Sequence, residues 1–145
     1  MDAPLLTDCF SRLHGSNVSY EVKLYKNEIV CQPQETKSKK YTISLASVVG
    51  CKCLKPNTQG DHRSFLIIYA YPKSGSGLRR RHTYTFYFKE NDSADYEKNF
   101  ATVRKWKLSI QYLISVPDPD LFVLKDFINE TISAPPIPLR KWLIL

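Results

Sequence analysis

The chain is short of cysteine, of acidic residues and of long apolar runs, and each scarcity excludes something. Its four cysteines, Cys9, Cys31, Cys51 and Cys53, include no CxxC pair. They give no disulfide ladder of the kind that staples small secreted domains. In a strand Cys51 and Cys53 share a face, but no further His or Cys pair completes a tetrahedral zinc set. They read as small apolar fillers in a reducing cytosol. No apolar stretch approaches the roughly 20 residues that span a bilayer. Met1–Phe10, carrying Asp2 and Asp8 and no long apolar run, does not read as a secretory leader. From these absences we expect a cytoplasmic chain that touches membranes only from the side. Acidic residues number 14 against 21 Lys and Arg, a net charge of +7. Such an excess suits an anionic partner: nucleic acid, a membrane surface or an acidic protein. A soluble domain with a merely basic surface is the alternative.

Catalytic groups are also missing. His14, His62 and His82 lie apart in sequence, in turns or beside basic residues, and assemble no triad or metal set. Pro72-Lys73-Ser74-Gly75-Ser76-Gly77 imitates a phosphate loop. A phosphate loop needs a helix N-terminus behind it to receive the charge. Here Leu78, three arginines and a strand pattern, Thr83–Phe88, follow instead. The segment reads as a loop between antiparallel strands, so neither catalytic nor cofactor-binding residues are assigned.

What is present is a core. The 145 residues suffice for one domain and a tail. A hydrophobic content of 43% with 12% aromatic residues argues against general disorder. Ser93–Ile114 reads as an amphipathic helix, with Tyr96, Phe100, Val103, Trp106, Ile110 and Leu113 on one stripe. Ser93 is its expected N-cap, and Pro117 stops it. Upstream, alternation and turn residues mark seven short strands: Cys9–His14, Val18–Lys26, Glu28–Gln32, Tyr41–Ala46, Val48–Leu54, Phe65–Tyr71 and Tyr84–Phe88. Phe65–Tyr71, the most apolar, is expected to be central.

The fold class is therefore mainly β with one C-terminal helix, a small barrel or orthogonal sandwich closed at one end. The element order, with a Trp midway along the closing helix, resembles the pleckstrin-homology superfold. We divide the chain into a pleckstrin-homology-like domain at 8–116, a linker with a short helix at 117–138, and 139–145. The last piece, Arg140-Lys141-Trp142-Leu143-Ile144-Leu145, reads as the opening of a buried strand of a further domain.

The basic run is the most pointed surface feature. Arg79, Arg80 and Arg81 repel one another unless they face water or an anion. With Lys73 they form the candidate site for an anionic lipid or an acidic partner; a solvated strand start is the alternative. Phosphoinositide recognition in pleckstrin-homology folds uses paired basic residues on the first two strands. There this chain offers only Arg12 and Lys23, without the paired Lys and Arg pattern, so specific inositide recognition is not expected. Nucleic acid is disfavoured, because the aromatics fall at core-facing strand positions rather than on a stacking platform.

From Val48 onward the sequence resembles the region ahead of the catalytic domain in sphingosine kinases. The likeness rests on Val49-Gly50-Cys51, Ile68-Tyr69-Ala70-Tyr71-Pro72, the Arg79-Arg80-Arg81 run, Tyr96-Glu97-Lys98-Asn99, Trp106 and the Pro-rich connector before Arg140–Leu145. The resemblance implies a parent enzyme that uses ATP and Mg to phosphorylate sphingosine. Its nucleotide loop and catalytic Asp would lie beyond Leu145, so this chain would be inactive by itself and do regulatory or membrane-docking work. A stand-alone basic module or adaptor that recognises an acidic protein or anionic lipid is the competing reading.

Overall fold

The alternation seen in the sequence is realised as strands whose inward residues are buried and whose outward ones are not. In a computed structural model, residues 3–13, 18–35, 39–55, 62–71, 81–88, 96–130 and 139–140 are described. The strands are β1 Leu6–Arg12, β2 Ser19–Leu24, β3 Glu28–Pro33, β4 Tyr41–Ser44, β5 Val48–Leu54, β6 Ser64–Ala70 and β7 His82–Phe88. A single 3-10 turn, Leu45–Ser47, joins β4 to β5. Two helices follow, α1 Tyr96–Ser115 and α2 Leu121–Asn129.

All seven strands form one antiparallel sheet in the order β4-β3-β2-β1-β7-β6-β5. Six residue pairs join β1 to β2, from Leu6 opposite Leu24 to Ser11 opposite Ser19. Only Ser11 opposite Tyr87 and Arg12 opposite Phe86 join β1 to β7. With the core on the inner face and the closing helix against β5 and β6, this is the small sandwich-like or barrel-like β domain that the pattern requires.

Two strand expectations are corrected. β1 begins at Leu6, three residues before the expected Cys9, and ends at Arg12; His14 lies outside the described residues. Its inward positions are Leu6, Asp8 and Phe10. The carboxylate at position 8 hides the alternation, and its reason is a buried partner, Trp106. β6 is one strand from the edge rather than central. Two of its outward residues are aromatic rings that long basic side chains cover: the Arg63 guanidinium lies 5.2 Å from the Phe65 ring centre and that of Arg81 4.5 Å from the Tyr69 ring centre.

Along α1, Val103, Trp106 and Ile110 are fully buried, Leu113 is buried and Phe100 is partly so. The side chain of Tyr96 falls outside what is described, as do Ser93 and the expected cap. The buried surface is wider than the stripe, since Asn99, Leu108, Ser109 and Tyr112 are buried too. Asn99 Nδ2 donates to the His62 carbonyl at 2.8 Å, which makes an amide acceptable in the interior.

The second flank of α1 is covered by α2, shorter than the Leu121–Ile132 expected for it. Asp120 caps α2, its Oδ1 accepting from the Phe122 and Val123 N–H groups at 3.0 and 3.2 Å. Lys105 closes the other end by donating to the Ile128 carbonyl at 2.6 Å. Leu124, Phe127 and Leu139 join the same hydrophobic core as the sheet. Leu139 and Arg140 have helical backbone; residues 141–145, which carry most of the expected final strand, lie outside the described residues.

Candidate functional site

Of the sequence-predicted site, Lys73, Arg79 and Arg80 lie outside the described residues, as does the glycine-rich loop that contains Lys73. Arg81 is exposed just before β7, and its guanidinium lies 4.5 Å from the centre of the Tyr69 ring. Lys52 Nζ approaches the same ring at 5.7 Å. Tyr69 thus holds two cations near the end of β6, Lys52 from β5 and Arg81 from the residue before β7, by attraction to the ring quadrupole. The stretch after the glycine-rich loop is strand from His82, as its composition required.

The second cationic feature centres on Arg12, noted in the sequence only as an unpaired basic residue on the first strand. Arg12, at the end of β1, has its guanidinium 5.2 Å from the Tyr84 ring, 5.7 Å from Phe86 and 5.8 Å from Tyr41. Its Nη1 donates to the Tyr41 hydroxyl at 3.1 Å, while Nε is buried without a hydrogen-bond partner. The Tyr20 ring meets Tyr41 edge-on, and Tyr41 stacks on Tyr84. No spacing rule brings positions 12, 20, 41 and 84 together; they come from β1, β2, β4 and β7, and only the curved sheet brings Tyr41 of β4 over to Arg12 and Tyr84.

Beside this box the buried Cys31 thiol is pushed up to about 12 by burial, an effect only partly opposed by its hydrogen bond to Tyr41 and by the charge of Arg12. Tyr41 itself is raised, again by burial first. Burial likewise raises Cys51 to about 12. The filler reading fits these two cysteines, whereas Cys9 is exposed and Cys53 half-buried. Among the described residues no group of three or more His, Cys, Asp or Glu could hold a metal ion.

A cleft of about 830 Å³ opens between the N-terminal stretch, the outer face of β2–β3 and α2. Leu5, Val30 and Leu121 supply apolar lining, and Lys23, Lys26, Lys40 and Lys125 surround it. Lys40 lies immediately before β4. The others sit on separate elements, which explains why no run announced them. No helix among the described residues is long and apolar enough to cross a membrane.

Comparison with known proteins gives a partial relationship. No family model matches the chain. Over 72 residues, 50% of its length, it is 35% identical to Sphingosine kinase 2 of Homo sapiens. That match spans 11% of the kinase, so the likeness reaches about a tenth of the relative's length. Half of this chain is therefore similar to one small part of a sphingosine kinase.

Proposed function

We propose that this chain is the N-terminal regulatory or membrane-docking portion of a sphingosine kinase, built as a pleckstrin-homology-like barrel. The observation that carries the reading is the likeness to Sphingosine kinase 2 over half the chain. The strand order closed by a helix, with Trp106 buried midway along it, supports the fold assignment. In this reading residues 8–116 form the docking domain, 117–138 connect it, and 139–145 lead into the catalytic domain. ATP and Mg would be held, and sphingosine phosphorylated, by parts of the kinase outside this chain.

The docking surface would be Lys73, Arg79, Arg80 and Arg81, facing an anionic cytoplasmic membrane. Support comes from the net charge of +7 and from Arg81 and Lys52, both displayed over Tyr69. A Lys or Arg near an anionic bilayer contributes about 1 kcal/mol, weakened by salt. Replacing Arg79, Arg80 and Arg81 with Ala should lower binding to phosphatidylserine-containing vesicles roughly a hundredfold at low salt. Co-sedimentation at low and high salt is the measurement. Failure of the unaltered chain to bind at low salt, or binding that ignores the triple substitution, would remove the membrane role from this surface.

A further inference from the structure

We infer that the cleft between α2 and the outer face of β2–β3 is a docking groove for an acidic peptide segment of a partner protein, bound in extended conformation. This goes beyond the membrane reading, because it uses none of Lys73, Arg79, Arg80 or Arg81.

Charge is the first argument. Lys23, Lys26, Lys40 and Lys125 line the groove, against the carboxylate of Glu28. Lys23 Nζ also lies 3.2 Å from Glu21. Lys26, Lys40 and Lys125 make no ion pair among the described residues. The Asp120 carboxylate at the start of α2 accepts two backbone N–H bonds of its own helix.

Spacing is the second. Cys31 pairs with Tyr41, which sets Lys40 beside Gln32 at one end of β3, while Lys26 lies in the turn before Glu28 at the other. Lys23 pairs with Val30, midway between them. Glu28 to Gln32 spans roughly 13 Å at about 3.3 Å per residue. A single phosphate or sulfate cannot reach both ends. An extended peptide repeats its side chains on one face about every 7 Å, so acidic residues at alternate positions would meet Lys26, Lys23 and Lys40 in turn.

Shape is the third. The groove is walled by Ala3–Leu5 on one side and by Leu121 and Lys125 on the other, a concavity that suits a strand better than a flat bilayer. Phe122, 81% exposed, stands on the α2 lip one turn from Lys125, where an apolar residue of the partner can cover it.

The test is fluorescence anisotropy of the full chain with a fluorescein-labelled Glu-Leu-Glu-Leu-Glu peptide at low salt. Saturable binding is expected, weakened at least tenfold by Lys26→Gln, Lys40→Gln and Lys125→Gln together. A control of equal charge, Lys55→Gln, Lys98→Gln and Arg140→Gln, none of which lines the groove, should change it less than twofold. Phe122→Ser should weaken it severalfold. Thermal melts of each variant confirm folding, since all these side chains are exposed. Absence of binding overturns the proposal, and so does an equal loss in both triple variants, which would mean charge alone. Capture of phosphatidylserine vesicles through Lys26, Lys40 and Lys125, with the peptide ignored, would reassign the groove to lipid. Because vesicle binding through Arg79–Arg81 is measured separately, either proposal can fail without the other.

Discussion

Trp106 Nε1 donates a hydrogen bond to Asp8 Oδ2 at 2.7 Å, tying the middle of the closing helix to the first strand across 98 positions of sequence. The indole is fully buried, and the Phe10 ring meets it edge-on with centres 5.4 Å apart. The bond satisfies a buried indole N–H and explains a carboxylate on the inward face of β1.

Trp106→Ala should cost about 3–5 kcal/mol through the cavity it leaves. Asp8→Ala should cost about 1–3 kcal/mol, because the indole N–H stays buried without that acceptor. Urea unfolding of both variants checks the pair. A Trp106→Ala protein with an unchanged midpoint would mean that α1 does not close the core.

Arg12 holds its charge against three ring faces rather than against a carboxylate. Arg12→Met keeps most of the stem but loses the cation–ring attraction and the bond to Tyr41, and should cost about 1–2 kcal/mol. Arg12→Lys should recover little, since an ammonium lacks the planar face that stacks between rings. Denaturation curves of the two variants should nearly coincide; full recovery by Lys would show that charge alone matters there.

The thiols give a pH prediction with a definite sign. Cys31 and Cys51 are raised from 9.0 to about 12 in the folded chain, chiefly by burial. Their neutral forms therefore contribute stability that is fully present below about pH 9 and is lost as pH rises toward 12. In that window each thiol can tilt the stability curve by up to about 1.4 kcal/mol per pH unit. The Cys31→Val, Cys51→Val double variant should lose that part of the alkaline slope. At pH 8 a thiol reagent should modify Cys9 first and Cys53 more slowly, reaching Cys31 and Cys51 only after denaturant is added.

Asp120 caps α2 with two backbone bonds. Asp120→Ala should cost about 1 kcal/mol and fray the first turn of α2, with Asp120→Asn recovering most of the loss. Hydrogen exchange at Val123 and Leu124 would report the fraying; unchanged protection would show that burial of Leu124 holds the helix without its cap.

Strand and helix periods were legible because burial on one face writes itself into the order of side chains. Val22 and Leu24, Ile29 and Cys31, and Leu66, Ile68 and Ala70 announced their strands, and Val103, Trp106, Ile110 and Leu113 announced α1. Asp8 and Asn99 broke the pattern for a single reason. Each is an inward-facing polar group, Asp8 half-buried and Asn99 buried, whose partner, Trp106 or the His62 carbonyl, lies far away in sequence. Of the predicted binding residues only Arg81 is described, and its stacking on Tyr69 depends on the β6–β7 pairing.

The sequence by itself determined the element types, their order, the closing helix and the basic balance, since these follow from local periodicity and composition. Tertiary structure alone decided which charges meet. The Arg12 box needs β1 set between β2 and β7, and the lysine-lined cleft needs α2 folded back beside β2 and β3. Side-chain period records which face a residue turns inward. It carries no record of which strand lies next door.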